Sequence, residues 1–207
     1  MTFPLTNKDP SILLRLSELQ PGWGVAAIVD TETTGLDPRR HEVVELAIVL
    51  FAFDRHRGHV YGVVDEYSGL REPQRPITKA AQQVHGITQD DVRGCRIDGA
   101  RVHALLSQAE FLVSHNAAFD CAFLARLFPM VLQKPWLCSM NGVAWYRRGH
   151  TSKSLAALLR DHGVPMTNAH RALDDARSTL VLLSLPGPEG EANLSELLRR
   201  SHAARVR

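Results

Sequence analysis

Asp30 and Glu32, in the stretch Ile28–Pro38 (IVDTETTGLDP), place two carboxylates two residues apart at the end of an apolar run. If that run is a strand, side chains alternate between its faces, so the two acids share one face and Thr31 points to the other. Acids this close repel one another and resist losing water. They remain ionised together when cations lie between them. Carboxylate oxygens are hard ligands suited to Mg²⁺ or Mn²⁺, whereas zinc would call for Cys and His in spacings this chain lacks. A lone D-x-E recurs by chance, so the reading depends on whether other acids converge on the same point.

Two later stretches supply them. In SHNAAFDCAFL, Asn116 is suited to cap a helix, which puts Asp120 in the first turn. There the helix dipole alone could explain it. Phe119, Phe123 and Leu127 make the apolar stripe of that helix, and Asp120 borders the stripe, within reach of a neighbouring strand end. In AHRALDDARSTL, Leu173, Ala176, Leu180 and Leu183 form the apolar face. His170 and Asp174 lie about 40° apart on an ideal helix, and His170 and Asp175 about 140° apart. Helical spacing alone therefore prefers Asp174, and Asp175 shares a site with His170 only if the histidine precedes the regular helix. Oxygen ligands from three elements suit two ions about 4 Å apart, one activating water and the other stabilising the leaving oxygen of a phosphodiester. A histidine with a pKa near ~6.5 could accept the proton of that water.

These residues need a framework. Runs 25–31, 43–53 and 59–67 are rich in Val, Ile and aromatics and are joined by short polar connectors, which predicts an antiparallel meander. From residue 78 helix and strand patterns alternate: helices at 78–84, 89–93, 98–108, 117–128, 153–162 and 170–184, with short strands at 111–115 and 135–138. Such an order gives an α/β fold with a mixed sheet flanked by helices. Ser11, Ile12, Leu13, Leu16 and Leu19 predict a helix over 11–19, so the chain divides into an arm (1–24), a main domain (25–185) and a linker with a short basic helix (186–207).

The chain has 207 residues and a formal net charge of +2, so any nucleic-acid contact must be a local patch. Three scattered cysteines, Cys95, Cys121 and Cys138, support neither a disulfide framework nor a zinc knuckle. The N-terminus lacks the apolar stretch of a signal peptide, and no run reaches the ~20 residues of a membrane span. A soluble, cytoplasmic protein with no membrane partner is expected. Arg147, Arg148, His150 and Lys153 form a basic run that reads either as a solvated loop or as a phosphate contact.

The ordered set VDTETTGLDP with VELAIV, then VHGIT, SHNAAFD and HRALDDA resembles the motifs of the DEDDh (DnaQ-like) 3′–5′ exonuclease family over about residues 25–185. That family includes the proofreading epsilon subunit of bacterial DNA polymerase III. The resemblance implies a ribonuclease-H-like fold with a mixed five-stranded sheet whose first three strands are antiparallel, and two Mg²⁺ or Mn²⁺ ions. It implies that Asp30, Glu32, Asp120 and Asp175 are metal ligands and that His170 is the general base, so it selects Asp175 over Asp174. By the same resemblance Thr33, Thr34 and Gly35 contact the terminal nucleotide, and His85, Asn116 and Phe119 line its pocket. Gly35 also reads as a turn glycine and His85 as a helix-end residue. The implied activity is hydrolysis of single-stranded or frayed DNA ends to nucleoside monophosphates, with a polymerase partner for any proofreading role. An RNA-end exonuclease, an inactive nucleic-acid-binding accessory module, and a homodimer docked through the 11–19 arm stay open.

Overall fold

The computed structural model describes residues 14–166 and 170–205. Five strands, β1 (Trp23–Thr33), β2 (Val43–Asp54), β3 (Val60–Leu70), β4 (Leu112–Ser114) and β5 (Trp136–Cys138), form one sheet in the order β3-β2-β1-β4-β5. The first three are antiparallel, β4 runs parallel to β1, and β5 parallel to β4. This is the expected mixed sheet. Every residue of β2 except Asp54 is buried, as an inner strand covered on both faces must be.

Among the described residues seven α-helices accompany the sheet: α1 (Lys79–His85), α2 (Gly99–Gln108), α3 (Ala117–Leu124), α4 (Ser139–Gly142), α5 (Leu155–Asp161), α6 (Ala172–Ser184) and α7 (Asn193–Arg205). Thr78, Asp98 and Ser154 accept the Ala81, Arg101 and Ala157 amides and so cap α1, α2 and α5. Alternation along β1 sorts its side chains between two cores. Ala26 and Ile28 pack with Leu158, Leu180 and Leu183 on the α5–α6 side, while Ala27 and Val29 pack with Leu105, Phe123 and Leu124 on the α2–α3 side. Each fully buried leucine contributes roughly 1.5–3 kcal/mol. The same alternation, continued to the strand end, directs Asp30 and Glu32 toward α6 and Thr31 toward α3.

Three expectations differ from the structure. Residues 89–93 form turns, because the Asp91 carboxylate accepts the Thr88 amide and hydroxyl and Gly94 takes φ 72°, which closes the segment into a loop. Helix α3 stops at Leu124, since Pro129 disfavours helical geometry at Phe128, which lies at φ −133°, ψ 78°. In the arm, Leu16–Glu18 make a single 3₁₀ turn with Leu16 exposed, and Ser11, Ile12 and Leu13 lie outside the described residues. At the other end the expected short basic helix is α7, and its Leu194, Leu197 and Leu198 are buried in the core on the α5–α6 side. Among the described residues no helix is long and apolar enough to cross a membrane, and Cys95, Cys121 and Cys138 are unpaired thiols.

Candidate active site

The sheet ends where the acids begin. Asp30 and Glu32 leave β1 on the α6 side, and Asp175 comes from the first turn of α6 to meet them. One oxygen from each of these three carboxylates lies within 4.8 Å of the other two. Asp120 approaches from the opposite face. Its Oδ1 accepts the Thr31 hydroxyl at 2.9 Å, and it is 3% exposed. Asp120 is the strongest charge acting on Asp30, so the fourth acid adjoins the trio but is held on the α3 side of the sheet rim.

Crowding and burial raise all four acids. Asp30 sits well above the usual carboxylate range, first from burial, then from repulsion by Asp120 and Asp175. Burial, with repulsion from Asp175 and Glu45, pushes Glu32 up to about 8, Arg171 opposing. Burial takes Asp120 to about 7 against the hydrogen bond from Thr31. It takes Asp175 to about 6, moderated by His170. Without cations these groups prefer protons, and the folded state binds them more tightly than the unfolded chain does. Unfolding therefore releases protons between about pH 4 and 8, and stability falls as pH rises through that window. In chelator, Tm is expected to drop by at least about 5 °C from pH 5 to pH 8, and Mn²⁺ should restore it most at pH 8. A flat chelated profile by scanning fluorimetry would contradict this electrostatic picture.

His170 lies two residues before α6, outside the regular helix, with φ 66°, and is the only non-glycine residue in the left-handed region among those described. Its amide donates to both Asp175 oxygens, at 3.4 and 3.3 Å, while its imidazole is exposed. A histidine standing outside the helix is the geometry that His170 and Asp175 need if they are to serve one site.

The remaining sequence candidates divide. Asn116 heads α3 with an exposed side chain that makes no capping bond, and Phe119 packs against Phe123, with ring centroids 4.8 Å apart. Thr33 donates to the Gly35 carbonyl at 2.7 Å, and the Thr34 hydroxyl lies 3.1 Å from His41 Nδ1. A methyl group added at Gly35 would meet the His41 ring at 2.6 Å, so a side chain here would displace that ring from its contact with Thr34. His85 is buried with both ring nitrogens engaged: Nδ1 accepts the Ile87 amide at 3.0 Å and Nε2 lies 3.1 Å from the Thr33 carbonyl. It latches the end of α1 onto the end of β1, so a nucleotide could meet only its ring face. In the basic run, Arg148 is committed to Asn193 and Glu196 of α7, and His150 to Asp161 at 2.8 Å. Lys153 lies over the Tyr146 ring at 4.8 Å, leaving Arg147 as the exposed cation of that group.

Known proteins share this arrangement of chain and sheet. A sequence-family profile described as "Exonuclease" matches residues 27–183. The chain belongs to this exonuclease family. It is 30% identical over 167 residues to the DNA polymerase III subunit epsilon of Treponema pallidum, covering 75% of this chain and 73% of that subunit. It is 32% identical over 166 residues to the PolC-type DNA polymerase III of Thermotoga petrophila, covering 73% of this chain but only 11% of the polymerase. Exonuclease X, solved in complex with 5′-overhanging duplex DNA, superposes with a TM-score of 0.55 at 28% identity, covering 82% of this chain and 99% of that one.

The sequence reading of this chain passed over Glu45. The VELAIV stretch was visible, but nothing in its spacing showed that its glutamate is buried and faces α6. With its side chain 3% exposed, Glu45 accepts the Arg171 guanidinium at 2.7 and 3.2 Å and the Ala172 amide at 3.0 Å. It thus fixes the start of the helix that carries Asp175 and, two residues before it, His170. Glu45→Ala leaves the buried Ala172 amide without an acceptor and frees the helix start, at a cost of about 1–3 kcal/mol. Tm is expected to fall by about 5 °C. The Mn²⁺ concentration for half-maximal activity should rise about tenfold, and Glu45→Gln should recover part of both losses. A variant unchanged in metal requirement would mean that Glu45 supports the fold and not the site.

Proposed function

We propose that this chain is a divalent-metal-dependent 3′–5′ exonuclease releasing nucleoside monophosphates from single-stranded or frayed DNA ends. The observation carrying this reading is the meeting of Asp30, Glu32 and Asp175 oxygens within 4.8 Å, with Asp120 on the other side of the same strand end. The donor set consists of hard oxygens alone, and its mutual repulsion is the kind that bound cations relieve. Asp30, Glu32, Asp120 and Asp175 would hold two Mg²⁺ or Mn²⁺ ions. Bound there, such ions would stabilise negative charge on the scissile phosphate and on the departing 3′ oxygen.

The exposed His170 imidazole accepts a proton from the attacking water. The water oxygen bonds to phosphorus and the bond from phosphorus to the 3′ oxygen breaks. That oxygen takes up a proton, leaving a shortened strand with a 3′-hydroxyl and a nucleoside 5′-monophosphate. The Thr33–Gly35 turn follows Glu32 directly, Asn116 and Phe119 precede Asp120 at the start of α3, and together they would seat the terminal nucleotide. Relatives named as DNA polymerase III components support a polymerase partner, with proofreading as the role.

The test is degradation of 5′-labelled single-stranded DNA, duplex DNA and RNA of one sequence, with Mg²⁺, Mn²⁺ or chelator. Stepwise shortening of single-stranded DNA from the 3′ end, stopped by chelator, is expected. Faster loss of RNA would move the reading to an exoribonuclease. Binding without any degradation would make the protein an accessory module. In the same assay Asp175→Ala should remove activity while Asp174→Ala keeps most of it, and equal losses would undo the choice between them.

A further inference from the structure

Positive charge concentrates in one place outside the acid cluster: the loop between β1 and β2. Its base is tied by the Thr34 amide to the Glu42 carbonyl at 2.8 Å and by the Glu42 amide to the Thr34 hydroxyl at 3.1 Å. Arg126, just past α3, clasps the loop by donating to the carbonyls of Pro38 and, at 2.9 Å, His41. Arg75 donates to the Arg40 carbonyl at 2.9 Å. With Arg39 and Arg71 these residues line an open cavity of about 270 Å³.

The arginines outnumber their counter-ions. Glu42 is committed to Arg71 at 3.0 Å and to the Gln74 and Arg75 amides. Asp37 reaches Arg40 only at 3.7 Å, in an exposed pair. Arg39 has no charged partner among the described residues. Five arginines therefore face two carboxylates, a local surplus larger than the +2 of the entire chain.

We propose that this arginine cavity binds the phosphodiester backbone of the substrate strand, or of its complement, a few nucleotides from the end being cleaved. The proposal rests on the nuclease reading above. Guanidinium forks match phosphate oxygens in pairs, and here backbone carbonyls hold Arg75 and Arg126 in place before any ligand arrives. The cavity also connects to the acid cluster along two short paths. One is the Thr33–Gly35 turn, through the Thr34 and His41 contact. The other is the α3 direction, where Asp120 lies in the first turn of the helix and Arg126 two residues past its end. An acidic peptide would find the same charges, but it gives no reason for the cavity to sit on the loop that follows Glu32.

The experiment uses the Arg39→Gln/Arg75→Gln double variant, because both side chains are exposed and the Arg126 clasp on the Pro38 and His41 carbonyls survives the loss of the Arg75 bond to the Arg40 carbonyl, and Arg39→Glu alone as a second variant. Fluorescence anisotropy of a labelled 20-nucleotide DNA in chelator reads affinity against salt concentration, and hydrolysis of a dinucleotide reads the site itself. About tenfold weaker binding of the 20-mer, a salt slope reduced by about 1–2, and unchanged dinucleotide turnover are expected. Loss of 20-mer binding in a protein that hydrolyses nothing would uphold the cavity and fail the nuclease reading. Unchanged affinity and slope overturn the proposal, as does loss of binding to a glutamate-rich peptide with DNA affinity intact.

Discussion

Asp30→Asn is expected to lower exonuclease activity at least about a thousandfold while raising the melting temperature of the chelated protein at pH 8. The two effects have opposite directions because the carboxylate is costly to the fold. Burial and the charges of Asp120, Asp175, Glu32 and Glu45 all push Asp30 above the usual carboxylate range. An amide of the same shape removes that cost, so the chelated variant should be the more stable protein, by several degrees. The variant loses a cation ligand, so Mn²⁺ should raise its Tm by less than it raises that of the parent. Activity within tenfold of the parent, or a fall in the chelated Tm, would show that Asp30 is an ordinary structural acid.

His170→Ala should slow turnover by about 10²–10⁴-fold with Mn²⁺ affinity nearly unchanged. The separation follows from how the residue is joined to the acids. Its tie to Asp175 runs through the backbone amide, which alanine retains, while the imidazole reaches solvent at the rim of the site. The pH profile offers a second readout. If the imidazole accepts the proton, the acidic limb of the rate profile disappears in the variant. A variant that loses Mn²⁺ affinity in parallel with its rate would instead assign His170 to holding the loop.

The legible parts of this protein are those governed by local periodicity. Alternation along residues 25–31 placed Asp30 and Glu32 on one face, and the stripe Leu173, Ala176, Leu180 and Leu183 placed α6 against the sheet. Where two periodicities competed, spacing pointed away from the acid that the structure brings to Asp30 and Glu32. It favoured Asp174, because the start of α6 at Ala172 depends on Glu45, 127 residues earlier in the chain. Asp120 shows the same limit. Its place in the first turn was readable, but its hydrogen bond to Thr31, the residue turned away from the other acids, required the sheet. Segment 89–93 carried a helix-like pattern that a single carboxylate at Asp91 redirected into turns.

Supplying a site from both sides of one strand has a consequence for its assembly. A slip of one residue between β1 and β2 would carry Asp30 and Glu32 to the α3 layer and Thr31 to the α6 layer, dispersing the cluster while leaving many apolar contacts satisfied. The irregular pairing between Glu32 and Thr33 falls immediately beyond the acids, so the regular ladder runs unbroken up to the last of them. No partly formed intermediate can own a working cluster: until the central hairpin has settled into its one correct alignment, there is no pocket for an ion to enter.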